Sequence, residues 1–194
     1  MKEKTKYFTT QRLVLLALLT AIIVVLQVLA IMTRSLFPVF AISLVLIPIV
    51  VGAALCGTGA GGWLGLAFGF AVLISGDAAA FMAINPAGAI IVVLAKGMFA
   101  GLAAGAVYRA FAKKSRTLAA IAAAIICPIV NTGIFILGTY IFFLPTITQW
   151  GEGLGFSSAT AYIFFGLVGV NFLVELVINL VLCPVIVRLI QYGE

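Results

Sequence analysis

The chain has 194 residues, 65% of them hydrophobic and only 8% charged, with a formal net charge of +6 and a mean hydropathy of +1.34. No soluble core of this size needs so much apolar surface, so a water-soluble enzyme or binding domain is excluded and an integral membrane protein is implied. The chain has no His, and its three cysteines (Cys56, Cys127, Cys183) are far apart in sequence, so neither a metal site nor a disulfide framework nor a bound cofactor is expected.

The apolar runs predict an all-α membrane protein of six transmembrane helices, over roughly 13–32, 39–56, 60–76, 87–108, 118–144 and 162–189, each about the length a bilayer demands. They form a single membrane domain spanning 1–194. Span one follows Lys2, Lys4, Lys6 and Arg12. It is long, rich in Val, Ile and Leu, and lacks a small-residue cleavage site, so it reads as a retained helix rather than a signal peptide. Ala17 and Ala21, four apart on an otherwise bulky helix, make a narrow notch that is either an internal contact or a docking groove for another membrane helix. After span two, Gly57-Thr58-Gly59-Ala60-Gly61-Gly62 lacks the Lys and the strand context of a phosphate-binding loop. It predicts a tight turn, and no ATP hydrolysis within this chain.

Gly61, Gly65 and Gly69 recur along span three, and Gly97, Gly101 and Gly105 along span four; such stripes let helix backbones approach closely in lipid. The segments 75–86 and 145–161 read as longer loops that cover one end of the bundle. They carry Asp77, Trp150 and Glu152, and Ser157 is placed to cap span six. Pro128 and Pro184 are expected to interrupt spans five and six. Arg109, Lys113, Lys114 and Arg116 lie between spans four and five, and Arg188 closes span six. Nine of the eleven Lys and Arg residues thus fall on one side, which puts both termini in the cytoplasm and makes the net charge a topology signal, with no call for nucleic-acid binding. A bacterial cell membrane is the simplest home for such a chain.

Polar residues inside the spans are costly and mark function. Lys96 lies about 12 Å along span four from Gly88, and Asn131 about 20 Å from Leu144 in span five. Asn171, Glu175 and Asn179 share one face of span six. A buried Lys96–Glu175 pair is poor glue, so these five residues are expected to line a binding site for a small solute rich in hydroxyls, amides or one carboxylate. There is no inverted repeat of the kind that builds a secondary transporter. Two rivals remain: a self-sufficient ion- or proton-coupled carrier, and a small intramembrane enzyme using Glu175 and Lys96 as acid and base, which lacks a nucleophile or metal motif.

The order of LVLLALLTAIIVVLQ, LAKGMFAGLAAGAVYR, PIVNTGIFILGTYIF and NFLVELVINLVLCPVI along the chain resembles the substrate-binding S component of energy-coupling factor (ECF) transporters. The resemblance implies capture of a water-soluble vitamin or precursor from outside, docking through Ala17 and Ala21 to a coupling transmembrane subunit, and release driven by two cytoplasmic ATPases. By the family pattern, Lys96, Asn131, Asn171 and Glu175 match positions of ligand contacts. One intramembrane Lys among several Asn is closest to the pantothenate and riboflavin type, with pantothenate ranked first because Lys96 can meet its carboxylate. Thiamine-binding members would show a more aromatic site without that Lys, and cobalt or nickel members a His-containing N-terminus.

Overall fold

The computed structural model describes residues 10–36 and 44–193, apart from the side chains of 33–36, 170, 171 and 191–193. Lys2, Lys4, Lys6, Arg34 and the expected start of span two therefore lie outside the described residues or side chains. Every described element is helical. In chain order they are α1 (Thr10–Leu36), α2 (Leu46–Cys56), α3 (Thr58–Ile74), α4 (Ala79–Ile84), α5 (Pro86–Ala112), α6 (Arg116–Phe142), α7 (Leu144–Gly153) and α8 (Ala159–Ala161). A π-helical segment, Tyr162–Val168, then leads into α9 (Gly169–Val181) and α10 (Cys183–Gly193). Four stretches are long and apolar enough to cross a membrane: Thr10–Met32, Pro86–Ala112, Arg116–Phe142 and Ala159–Val181. The apolar helices α2 and α3 are shorter, at 11 and 17 residues.

Local chemistry sets the boundaries. The Asn85 side-chain oxygen accepts from the Gly88 N–H at 3.0 Å, and Pro86 follows in the first turn of α5, where its missing N–H costs nothing. Ser115 caps α6. The cap of the last span is Ser158 rather than Ser157, its hydroxyl accepting from the Ala161 N–H at 3.1 Å. The two expected covering loops are partly helical, as α4 and α7. Pro145 lies in the first turn of α7, so it starts a helix there instead of breaking one. Pro128 sits inside α6 without ending it, whereas the break before Pro184 falls at Leu182.

The two glycine stripes meet. A Cβ on Gly61 would strike the Gly101 carbonyl, one on Gly65 the Gly97 carbonyl, and the reverse contacts are equally closed. Helices α3 and α5 therefore touch backbone to backbone, recovering in dispersion what burial of apolar surface cannot supply in lipid. Against the other side of α5 pack the alanines of α6, with Ala119, Ala120, Ala123 and Ala124 all buried. Helix α1 is peripheral. It packs on α2 and α3 with Leu16, Leu19 and Ile23 buried and Leu15 and Leu26 half-buried against the core, and exposes most of its other large side chains. A second apolar cluster, built on Phe143, Ile147, Tyr162, Ile163 and Val168, closes the end of the bundle that carries α4 and α7.

Candidate functional site

Lys96 is held on α5 immediately before Gly97, where the close α3 contact fixes the backbone. Its ammonium nitrogen lies 5.7 Å from the ring centre of Phe68 on α3 and 5.2 Å from that of Phe135 on α6. Each ring face offers a cation roughly 0.5–2 kcal/mol, less than the cost of a charge at bilayer depth. Lys96 is half-buried between these two rings.

Asn131 lies one helical turn from Phe135 on α6, toward the N-terminus of that helix. It is 6% exposed, and its Oδ1 accepts no hydrogen bond from any described residue. On α9, Glu175 is 6% exposed and Asn179 1%. The Asn179 Nδ2 donates to the Glu175 carbonyl at 2.9 Å, while its own Oδ1 is buried with no partner among the described residues. Buried acceptors without partners are costly, and two of them in one interior mark places where a ligand or water can donate. Helices α6 and α9 pack on each other, and the Glu175 carboxylate is close enough to Cys127, one turn from Asn131, to act on it electrostatically. Asn171 belongs to α9, but its side chain lies outside the described residues.

The expected covering residues divide. Trp150 on α7 packs on Phe81 of α4 with centroids 6.0 Å apart, and Phe81 in turn contacts Phe135 at 5.6 Å and Phe143 at 5.0 Å, all edge to face. Trp150 is thereby joined through two rings to the Lys96 position. Asp77 is not part of that cluster. Its carboxylate accepts from the Gln27 side chain of α1 at 3.4 Å. Glu152 is exposed. Ala17 and Ala21 both lie on the exposed side of α1, opposite the buried Leu16, Leu19 and Ile23, and no described residue covers the notch.

Sequence reasoning missed Phe68, Phe81 and Phe135, which lie far apart in sequence and looked like ordinary apolar filling. Gln27 carried a usable signal: it is a polar residue in an apolar span, on the face defined by Leu16, Leu19 and Ile23. Among the described residues no cluster of His, Cys, Asp and Glu is able to hold a metal ion.

A family model described as "ECF transporter, substrate-specific component" matches residues 11–187. No curated protein and no solved structure matches the chain.

Proposed function

The chain belongs to the family of ECF transporter substrate-specific components, which are substrate-binding transporter subunits and not enzymes, and on that premise we propose that it captures a water-soluble vitamin or precursor, pantothenate foremost. In this reading it has six spans in a bacterial cell membrane, with both termini cytoplasmic. The α4/α7 end faces outward, because Arg109, Lys113, Lys114 and Arg116 lie at the other end. Lys96 meets the ligand carboxylate, and Asn131, Asn171, Glu175 and Asn179 meet its amide and hydroxyls. The cluster of Phe81, Phe135, Phe143 and Trp150 covers the site, and Asp77, in the segment before α4, belongs to the same covering region. Ala17 and Ala21 form the face that docks to a coupling transmembrane subunit, and two cytoplasmic ATPases drive release inward.

The observation that supports this most directly is the Lys96 ammonium between the rings of Phe68 and Phe135, with the buried Asn131 oxygen, which accepts from no described residue, one turn from Phe135 on α6. A second ligand is favoured by a separate observation: the edge-to-face rings around Phe81 offer faces on which the flat ring system of riboflavin would stack. The test is to purify the chain, identify the co-purifying small molecule by mass spectrometry, and titrate pantothenate and riboflavin into the emptied protein. Binding of either, without sustained uptake by the chain reconstituted alone, is the expected result. Sustained uptake by the chain alone would favour an ion-coupled carrier, and turnover of a bound molecule would favour an intramembrane enzyme.

A further inference from the structure

The last span departs from α-helical geometry at Tyr162–Val168, which is π-helical, and again at Leu182. Between the two breaks α9 forms a 13-residue segment carrying Glu175 and Asn179. The inward-facing residues record the change of period. Among fully buried positions, Val168, Glu175, Asn179 and Cys183 follow one another at intervals of seven, four and four, the α-helical spacing. From Ile163 to Val168 the interval is five, the spacing of a helix bonded i to i+5. Phe164 and Phe165, which a continuous α-helix would turn toward the bundle, are 47% and 76% exposed instead.

Both ends of this segment are anchored. Tyr162 packs on Phe156 with ring centres 5.3 Å apart and lies against Gly151 of α7, and Ile163 is fully buried in the cluster at the α4/α7 end. Beyond the segment, Cys183, Ile186 and Ile190 are buried in the main core. A single α-helical register cannot seat both sets, because π geometry over seven residues withholds about one residue's worth of rotation, roughly 100°. Gly169 is what permits the wide turn: a Cβ there would strike the Phe164 carbonyl, a main-chain atom that cannot swing aside.

We infer that the π-helical turn, held open by Gly169, is the positioning element of the deep polar site, offsetting α9 by one residue so that Glu175 and Asn179 face into the bundle while Tyr162 and Ile163 keep their seats. The register claim stands on packing alone; only its effect on ligand rests on the function proposed above.

The reporter is a cross-link between native Cys127 and a thiol introduced by Glu175→Cys, with Cys56→Ala and Cys183→Ala removing the other thiols. Dibromobimane, which fluoresces once it bridges two neighbouring thiols, reads the facing of α9 in the purified full chain. Gly169→Ala should convert the turn to α-helical bonding, rotate α9 and lose the cross-link. Deleting Phe165 shortens the five-residue interval to four, so the segment becomes regular with both seats kept, and the cross-link should persist. Combining the deletion with Gly169→Ala should restore the cross-link that Gly169→Ala alone loses. Retention of the cross-link in Gly169→Ala overturns the inference. Loss of the cross-link, or of folding, on deleting Phe165 also overturns it. Pantothenate titrated into the same variants with Glu175 intact separates the two readings: affinity that ignores a lost register removes Glu175 from the ligand site and leaves the positioning role standing.

Discussion

The glycine seam between α3 and α5 makes a quantitative demand. Gly65→Ala places a methyl against the Gly97 carbonyl, the carbonyl carbon beyond it and the Met98 nitrogen, all main-chain atoms. Overpacking of a well-filled interior costs about 1–3 kcal/mol, and the upper end applies here because no side chain can yield. For a chain of this size each kcal/mol moves Tm by about 2–4 °C, so Gly65→Ala should melt about 6–12 °C below the unmodified protein. The matched control is Gly133→Ala on α6, where an added Cβ meets nothing within 4 Å. It gains up to about 1 kcal/mol of helix propensity and should melt at the same temperature or slightly higher. Thermal unfolding of both purified variants in one detergent, followed by the loss of monodisperse protein, measures the difference. Equal shifts in the two variants would refute the reasoning, because the seam would then be no more closely packed than an open helix face.

Lys96→Ala and Asn131→Ala should each weaken ligand binding at least tenfold, about 1.4 kcal/mol, by calorimetric titration; unchanged affinity in both folded variants would remove them from the site. Ala17→Trp and Ala21→Trp fill the exposed notch of α1, so they should keep ligand affinity while losing uptake and co-purification with the coupling subunit. Loss of ligand affinity instead would make that face part of the binding unit. Amide hydrogen exchange should show ligand-dependent protection concentrated in 75–86 and 145–161, and equal exchange with and without ligand would remove those segments from any covering role.

The long apolar helices were legible because bilayer length and hydropathy leave few alternatives, and α3 and α5 follow their predicted spans to within a few residues. The glycine stripes were equally plain in sequence, and they pack within the chain. The short elements were not legible. Helix α4 has only six residues, too few to show a period, and α7 carries Pro145 as its second residue, which reads as a breaker until its place in the first turn is known. The π turn was hidden because Phe164 and Phe165 are as apolar as the buried residues beside them, so a change from four-residue to five-residue spacing leaves no mark on hydropathy. The same blindness concealed the ring cluster. Lys96, Asn131, Glu175 and Asn179 stood out as polar residues in apolar spans, whereas Phe68 and Phe135 became informative only once Lys96 was seen between them.

The backbone contact between α3 and α5 also distributes stiffness through the molecule. At successive levels a glycine of one helix faces a carbonyl of the other, so sliding by one residue would drive a side chain into main chain. The pair resists shear as one beam, and α1 is hung from it through leucine and isoleucine side chains that can change rotamer. Compliance is then concentrated where the helical ladder is already irregular, at 162–168 and at Leu182. Displacements between states are best measured in the frame of α3 and α5, the part of the molecule that main-chain contact holds most closely.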